Sequence, residues 1–471
     1  MARFDYVGHD RCAIYKKITQ ISMVLNQPKT KEEVLMMVKE AGVRFVKMQF
    51  TDVNGFIKAV TIPAEKLANA IDHNVWFDGS SVEGFTRIFE SDMYLKPDLA
   101  TFAVVPWTRG TELVTARIIC DVYMPDGSPF EGDPRYILKK QIERADALGY
   151  EYYVGPELEF FIFKKGDDGK IEPLPYDRAG YFDQTMDLAG DLRGQMALML
   201  GEFGLDVEAQ HHEVAEGQHE IGFKYSDAMT QADSVMTFKF VVKALAQKYD
   251  LHATFMAKPI AGINGSGMHC NQSLFKDGEN VFYDSASPDS LSPLAKSFVA
   301  GQLEHVKAMT AVLNPTVNSY KRLVAGYEAP VYIAWGQTNR SALVRIPRIS
   351  PTSPNSTRCE LRSPDPTCNP YLAFAVMIAS GLDGIEKDMT PPAAVNENVF
   401  ALSNDDALHK GVDTLPGNLN MALECLADDQ VIKGALGEHT YRMFDAAKRA
   451  DWLEYKTQVS PWELGKYLEL Y

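Results

Sequence analysis

The segment GPELEFFIF, residues 155–163, places two carboxylates inside an otherwise apolar run. Glu157 and Glu159 are two residues apart, so in a β-strand both side chains point to the same face of the sheet. Burying two carboxylates beside an apolar strand is costly unless a cation compensates their charge. A solvated sheet edge is the alternative, but the pattern favours a metal or substrate site.

The length and charge of the chain limit what it can be. Its 471 residues predict two or three domains, and its formal net charge of −16 argues against nonspecific nucleic-acid binding. No apolar run is long enough to predict a membrane span, and the first residues lack the apolar core of a signal peptide. The six scattered cysteines, with no CxxC, are typical of reduced thiols in a cytoplasmic enzyme.

A stretch rich in glycine, proline and aspartate, MPDGSPFEGDP, indicates a linker, and we expect a domain boundary near residue 128. Before it, a helix over residues 31–41 precedes two β-rich runs, which Asn54-Gly55 joins as a hairpin. After it, Asp133 and Pro134 predict the start of a helix. Strands and helices then alternate irregularly. The chain is therefore expected to be α+β with a largely antiparallel sheet, divided into residues 1–30, 31–128 and 129–471.

A second acidic segment, HHEVAEGQHEI, adds Glu213 and Glu220 with three histidines beside them. The HxxEH zinc motif is absent from it, and a ligand set dominated by carboxylates favours hard cations such as Mg²⁺ or Mn²⁺. Histidines in such a setting are more often structural than ligating. The segment therefore predicts a glutamate-rich cation site.

Arginines are placed where anions could bind. In STRCELRSPDP, Arg358, Glu360 and Arg362 share one face of a strand, which is either a salt-bridge ladder or a metal ligand between two anion clamps. Arg322, Arg340 and Arg345 lie in a neighbouring region rich in glycine and proline. Cations held by carboxylates together with arginines are what phosphoryl transfer needs. No Walker A or kinase glycine motif is present, so ATP would be bound by another architecture.

Six segments resemble, in order, the signatures of prokaryotic type I glutamine synthetase over about residues 35–471: FDGSSVEGF, GPELEFFIF, HHEVAEGQHEI, NGSGMHCNQSL, NPTVNSYKRLVAGYEAP and STRCELRSPDPTCNPYLAFA. The form of Gram-positive bacteria and methanogenic archaea, without a long insertion, fits better than the enterobacterial form. The resemblance implies an α+β fold with a β-grasp-like N-terminal domain. A larger catalytic domain, with a curved antiparallel sheet flanked by helices, would follow.

The resemblance also implies two or three Mg²⁺ or Mn²⁺ ions per active site and ATP as substrate. One metal site would consist of Glu159, Glu213 and Glu220, and the other of Glu157, His269 and Glu360. Gly265 and Gly267 would let the backbone approach the substrate closely. Cys270 alternates away from His269 and is expected to pack in the core.

The remaining site residues are likewise implied by the resemblance. The ammonium pocket would contain Asp78, which takes the proton from ammonium, together with Ser81, Tyr181 and Glu213. Glu328 would close a flap over the glutamate site. Glutamate would be held by Glu159, Gly265, Arg322 and Arg362, the transferred phosphate by Arg340 and Arg345, and the nucleotide by Glu208, Ser273, Arg345 and Arg358.

The implied reaction is the ATP-dependent ligation of ammonia to L-glutamate through γ-glutamyl phosphate, in a cytoplasmic homo-dodecamer of two hexameric rings. Two alternatives are open: γ-glutamyl ligation to another amine, such as a polyamine, and a catalytically inactive relative acting as regulator or scaffold. Because the sequence retains every expected type of metal ligand and the acidic ammonium pocket, it favours the ligation of ammonia to glutamate over both alternatives.

Regulation is expected to differ from that of adenylylated members, which carry a tyrosine where this chain has Phe400. The resemblance implies effectors such as 2-oxoglutarate or glutamine and small regulatory proteins. Arg87 matches an arginine linked to feedback inhibition, with an ion pair to Glu90 or Asp92 as the alternative. Departures from the family pattern at the flap and nucleotide contacts occur at Ala325, Gln337, Thr338 and Asn355.

Overall fold

The computed structural model describes residues 30–82, 84, 92–166, 168–324, 329–395 and 413–471. Two sheets organise these residues, one in each domain. The sheet of the N-terminal domain contains β1 (Phe45–Thr51), β2 (Ile57–Pro63), β3 (Val75–Asp78), β4 (Asp92–Pro97), β5 (Ala103–Val104) and β6 (Thr115–Tyr123). The helices that precede β1 and β3 are α1 (Lys31–Glu40) and α2 (Leu67–His73).

The larger domain contains an eleven-stranded sheet in the described part of the chain. Its strands are β7 (Glu151–Lys165), β8 (Ile171–Pro175), β9 (Val207–His212), β10 (Gln218–Phe223), β11 (Ser226–Asp227), β12 (Leu251–Thr254), β13 (Met268–Lys276), β14 (Glu279–Asn280), β15 (Trp335–Gln337), β16 (Val344–Ile346) and β17 (Cys359–Leu361). The helices are α3 (Pro134–Ala147), α4 (Gly190–Glu202), α5 (Ala228–Lys248), α6 (Pro293–Leu313), α7 (Ser319–Arg322), α8 (Pro370–Glu386), α9 (Leu419–Asp428), α10 (Gln430–Leu436), α11 (Glu438–Lys456) and α12 (Pro461–Tyr467).

Strand pairing confirms an α+β fold with mainly antiparallel sheets. The N-terminal sheet has the order β2-β1-β6-β4-β3, with β1 and β6 parallel and β5 added to β6. The larger sheet has the order β15-β16-β17-β13-β7-β10-β9, in which only the short pair β15 and β16 is parallel among the described strands. The long strand β7 lies inside this order, so its side chains meet those of β13 and β10.

Local signals in the sequence match the observed element ends. Asn54 and Gly55 lie between the paired strands β1 and β2, and Gly55 has a φ of 83°. Asp133 caps α3 by accepting a hydrogen bond from the Arg135 amide at 3.0 Å, and Pro134 is the first helical residue. These signals depend on a few neighbouring residues, which explains why they can be seen without the tertiary structure.

The residue patterns of TMDLAGDLRGQMALMLGEFG and HATFMAKPI predict a helix and a strand over these segments, and both elements are shorter in the structure. The helix expected over TMDLAGDLRGQMALMLGEFG begins only at Gly190, because the Asp187 side chain accepts from the Ala189 amide and holds a turn there. The strand expected over HATFMAKPI ends at Thr254, whose hydroxyl accepts a hydrogen bond from the Met256 amide. In both cases a side chain competes with the backbone for its hydrogen bonds.

The core of the larger domain brings α6 and α8 unusually close together. A Cβ atom added at Gly301 would lie 2.1 Å from the Ser380 carbonyl oxygen, and one added at Gly384 would lie 2.1 Å from the Ser297 carbonyl oxygen. Glycine is therefore required by backbone contact between the two helices. A separate apolar cluster packs the N-terminal sheet against α1. None of the described helices is long and apolar enough to cross a membrane.

We expect Gly301→Ala to lower the free energy of unfolding by about 1–3 kcal/mol, since the added methyl group forces α6 and α8 apart. Gly434→Ala in α10 is the matched control, because a Cβ there has no neighbour within 4 Å. Alanine at this second position should leave stability unchanged or raise it by up to about 1 kcal/mol. Urea unfolding of the two variants measures the difference, and equal midpoints would contradict the close packing.

Candidate active site

Strand register gathers the acidic residues on one face of the larger sheet. In β7, Glu157 lies opposite His269 of β13, and Glu159 lies opposite Glu220 of β10. Glu360 of β17 lies opposite Asn271 of β13. Cys270 lies on the other face and is fully buried in the core, as expected from its alternation with His269.

The first group consists of Glu157, His269 and Glu360, whose ligand atoms lie within 4.8 Å of one another. The His269 Nδ1 atom is 3.7 Å from the Glu157 Oε2 atom and 3.7 Å from the Glu360 Oε1 atom. Burial opposes ionisation of Glu157, but the nearby His269, a hydrogen bond from the Asn271 side chain at 2.9 Å and the charge of Arg358 together outweigh burial and lower the pKa of Glu157. This group has the three side chains expected for one of the two metal sites.

The second group consists of His211, Glu213 and Glu220. The two nitrogens of His211 each lie 3.5 Å from a carboxylate oxygen, one on Glu213 and one on Glu220. The sequence pattern favours structural histidines in this segment, so His211 is not among the predicted ligands. Its position opposite Glu220 in the pairing of β9 with β10 brings it into the group, and alternation in HHE was the available signal.

Glu159 lies beside the second group and is held by two hydrogen bonds, from the Gln218 side chain at 2.9 Å and the Gly267 amide at 2.8 Å. Burial, followed by the charge of Glu220, raises its pKa to about 7. Burial, followed by the charges of Glu159 and Glu220, raises the pKa of Glu213 to about 8. Carboxylates crowded in this way fit a divalent cation, which would favour their ionised forms.

Glu360 is 2% exposed and joins two arginines. Its two carboxylate oxygens accept hydrogen bonds at 2.7 Å, one from Arg345 and one from Arg362. Arg358 points elsewhere and donates to the Asn271 side chain at 2.9 Å. Of the two arginines in the Arg358-Glu360-Arg362 pattern, only Arg362 pairs with Glu360. The other arginine that pairs with Glu360 is Arg345, which comes from β16.

A small polar cavity, which we call the central cavity, adjoins both groups and has an empty volume of about 400 Å³. All four residues expected to hold glutamate line this cavity: Glu159, Gly265, Arg322 and Arg362. Arg322 is buried and donates to the carbonyls of Arg362, Ser363 and Pro364, so it braces the cavity wall. Gln218 and Asn264 also line this cavity, although neither is among the predicted site residues.

The glycines of this region are required by the protein itself. A Cβ atom at Gly265 would lie 2.2 Å from the Ala257 carbonyl oxygen. A Cβ atom at Gly267 would lie 2.5 Å from the Arg322 guanidinium. Close approach of a substrate is the reason predicted for both glycines, and the structure adds internal neighbours that already crowd a side chain there.

A larger cavity, which we call the outer cavity, has an empty volume of about 850 Å³ and shares Glu157 and Glu220 with the two groups. Three of the residues expected to contact nucleotide line it: Glu208, Ser273 and Arg358. Two aromatic rings that the sequence analysis missed, Tyr153 and Tyr225, stand edge to face with centroids 6.0 Å apart in its wall. Arg345 is held on Glu360 instead.

The other predicted residues are not gathered here. Asp78 ends β3 on the far edge of the N-terminal sheet, accepts a hydrogen bond from the Ser80 amide at 2.8 Å, and lines neither cavity. Ser81 follows it in a short 3₁₀ turn. Arg340 is exposed. Tyr181 is 47% exposed, and its ring centroid lies 5.7 Å from that of His211, beside the second group.

Three further predictions, on Arg87, Glu328 and Phe400, lie outside the described residues. Of the sequence departures, Asn355 lines the outer cavity. Thr338 has a φ of 57° at the end of β15. Fold and site together define a class: a two-domain α+β protein whose larger sheet carries two groups of carboxylates and histidines that could hold cations, beside two cavities.

Comparison with known proteins narrows this class. The model of the glutamine synthetase catalytic domain matches residues 131–467, and that of the glutamine synthetase beta-Grasp domain matches residues 42–125. The chain therefore belongs to the glutamine synthetase family, in its type I form.

Similar curated proteins are named glutamine synthetase. One from Clostridium saccharobutylicum is 52% identical, covering 94% of this chain and 99% of its own. One from Methanosarcina mazei is 51% identical, covering 94% and 98%. Among solved structures, a GmaS/ADP complex has a TM-score of 0.82 at 32% identity, covering 93% and 99%. Plasmodium falciparum glutamine synthetase has a TM-score of 0.83 at 26% identity, covering 94% and 99%.

Proposed function

We propose that the chain performs its reaction where the two groups meet the central and outer cavities. The reaction is the ATP-dependent ligation of ammonia to L-glutamate, because curated relatives named glutamine synthetase are about half identical over nearly the whole chain. The observation that supports this location is that one face of the larger sheet carries both groups, with Glu157, His269, Glu360, Glu213 and Glu220.

Divalent cations fit the two groups, since each combines carboxylates with one imidazole and its ligand atoms lie within 4.8 Å. We propose two or three Mg²⁺ or Mn²⁺ ions, held by Glu157, His269 and Glu360 and by Glu213, Glu220 and the nearby Glu159 or His211. Bound cations would neutralise the phosphate charges of ATP. The nucleotide is proposed to occupy the outer cavity, in contact with Glu208, Ser273 and Arg358. The similar GmaS structure is a complex with ADP, which supports nucleotide binding by a chain of this fold.

Glutamate is proposed to lie in the central cavity, where the Arg362 guanidinium and the Gly265 backbone hold it. The side-chain carboxylate of glutamate attacks the γ-phosphorus of ATP, and ADP leaves with the electron pair of the broken bond. Arg340 and Arg345 stabilise charge on the transferred phosphoryl group. Ammonia then attacks the acyl carbon of γ-glutamyl phosphate and displaces phosphate. Before this attack, Asp78 accepts the proton that ammonium loses to become ammonia, and Glu328 is proposed to close the site against water.

Asp78 lines neither cavity of its own chain, and we propose that a neighbouring copy supplies it. The proposed assembly is a cytoplasmic homo-dodecamer of two hexameric rings, with Ser81 and Tyr181 completing the ammonium pocket. We further propose 2-oxoglutarate or glutamine as effectors, with Arg87 in feedback inhibition, and small regulatory proteins as partners.

Mg²⁺ binding is expected to tighten as pH rises from about 6 to about 8. The pKa values of about 7 for Glu159 and about 8 for Glu213 mean that protons compete with the cation for these carboxylates. Proton release on binding should therefore be measurable near neutral pH by titration calorimetry in buffers of different ionisation enthalpy. Glu213→Gln should release fewer protons. Binding at neutral pH without proton release would contradict the crowding of these carboxylates.

The activity itself is tested by phosphate release from ATP and Mg²⁺ with glutamate and a panel of amines. Rapid turnover with ammonia, and little without glutamate, is the expected result. Turnover with a polyamine but not ammonia would show γ-glutamyl ligation to another amine. Absence of turnover with every amine and with either proposed effector would favour a regulator or scaffold.

A further inference from the structure

A third cavity lies between the two domains, away from the groups described above. The hairpin between β1 and β2 forms one side through residues 54–57, and α5 forms the other. Its empty volume of about 1290 Å³ exceeds that of either active-site cavity. Gly55 keeps the hairpin close to the larger domain, since a Cβ there would lie 3.0 Å from the Asn369 Cα atom. We call this space the interdomain cavity.

The charged side chains lining the interdomain cavity all have the same sign. Lys239 and Lys243 are one turn apart on α5, and Lys448 comes from α11. None of the described residues that line the cavity is an aspartate or glutamate, although the chain as a whole carries a formal charge of −16. Cationic side chains collected in a concave site of an acidic protein attract anions.

The protein compensates the charges of these lysines only in part, since Lys448 alone of the three has a carboxylate partner among the described residues. The Lys239 Nζ atom donates a hydrogen bond to the Cys368 carbonyl at 3.0 Å, and burial lowers the pKa of Lys239 to about 8. Lys243 Nζ lies 5.8 Å from the centre of the Phe255 ring. Lys448 Nζ is 3.3 Å from an oxygen of Asp451, whose side chain is 55% exposed. An anion in the cavity would complete the pairing of these charges.

The walls of the interdomain cavity are apolar and partly aromatic. Phe56, Phe240 and Phe255 line it together with Met236 and Met256. Aromatic and thioether side chains pack well against planar rings, and a small number of polar groups then fixes the orientation of a ligand. The lining therefore suits a molecule with a ring-bearing body and an acidic end.

We propose that the interdomain cavity binds a small organic anion with an aromatic body, whose acidic group contacts Lys243 and Lys448. This site is separate from the proposed active site and shares no lining residue with the central or outer cavity.

The test uses the full-length enzyme and the fluorescent probe anilinonaphthalenesulfonate, which combines aromatic rings with one acidic group. Saturable binding is expected, and Lys243→Gln should weaken it by about tenfold, since a charge-assisted contact is lost. Ala244→Phe, which fills the cavity from α5, should also weaken it. Lys170→Gln is the control, because this exposed lysine pairs with Asp168 outside the cavity. Both cavity variants should keep wild-type glutamine formation.

Competition identifies the chemistry of the ligand. Naphthoate should displace the probe, whereas glutarate, which has no ring, should not, and the uncharged phenylnaphthylamine should bind equally to wild type and Lys243→Gln. Displacement of the probe by glutarate but not by naphthoate would overturn the assignment of an aromatic ligand. Probe affinity that is unchanged in both Lys243→Gln and Ala244→Phe would overturn the site itself, even if glutamine synthesis proceeds normally.

Discussion

Replacing Asp78 by alanine is expected to lower ammonia-dependent glutamine formation by about 10²–10⁴-fold, the usual contribution of a general base. Binding of ATP and glutamate should change little, because the proposed contacts to these two substrates come from other residues and Asp78 is assigned only to the ammonium pocket. Initial rates at varied ammonium, with calorimetric titration of nucleotide and glutamate, measure both effects. Asp92→Ala is a matched control, since this exposed carboxylate lies opposite Asp78 in the pairing of β3 with β4. Equal rates in wild type and Asp78→Ala would remove Asp78 from this role.

The same variant tests the sharing of sites between copies. If a neighbour supplies Asp78, co-assembly of Asp78→Ala with Glu157→Gln subunits should restore part of the activity, because some interfaces then join an intact Asp78 to an intact metal group. Each variant assembled alone should remain inactive. Co-assembled enzyme without any recovered activity would argue that each chain uses its own Asp78.

Replacing Glu360 by glutamine is expected to cost about 3–5 kcal/mol of stability in addition to most of the activity. The carboxylate is buried and pairs with both Arg345 and Arg362, so its loss leaves two guanidiniums without their counter-charge. Since the Arg345 side chain is 23% exposed, solvent screens part of this cost and the lower end of the range is expected. Urea unfolding measures the stability, and phosphate release measures the activity.

Glu157→Gln is the matched variant, because Glu157 belongs to the same group but its side chain is 42% exposed and forms no ion pair with an arginine of the described residues. It should lose activity while keeping a near wild-type unfolding midpoint. Similar midpoints for the two variants would show that the arginine pairs of Glu360 contribute little to stability.

Residue alternation and turn signals predicted part of the local geometry correctly. Glu157 and Glu159 lie on one face of β7, Cys270 points away from His269, and Asn54-Gly55 forms a hairpin. These features follow from a strand period of two and from turn chemistry, which involve only residues close in the chain. The resemblance supplied the family and the fold, which the comparisons confirm.

Other features depend on which strands are neighbours. His211 joins Glu213 and Glu220 only because β9 pairs with β10, and the second arginine on Glu360 comes from β16. The glycines at 265 and 267 are explained by the Ala257 carbonyl and the Arg322 guanidinium. Apart from the alternation of His211 with Glu213, these contacts have no signal in the local sequence, because the partners are brought together only by the tertiary packing.

The sequence by itself determined the chemical groups, their alternation and the ends of several elements, since these properties follow from single residues and their near neighbours. Only the tertiary structure decided the membership of each ligand group, the pairing of Glu360 with Arg345 and the lysine-lined cavity between the domains. The physical reason is register: strands and helices distant in the chain must pack before their side chains share a charge, a cation or a cavity.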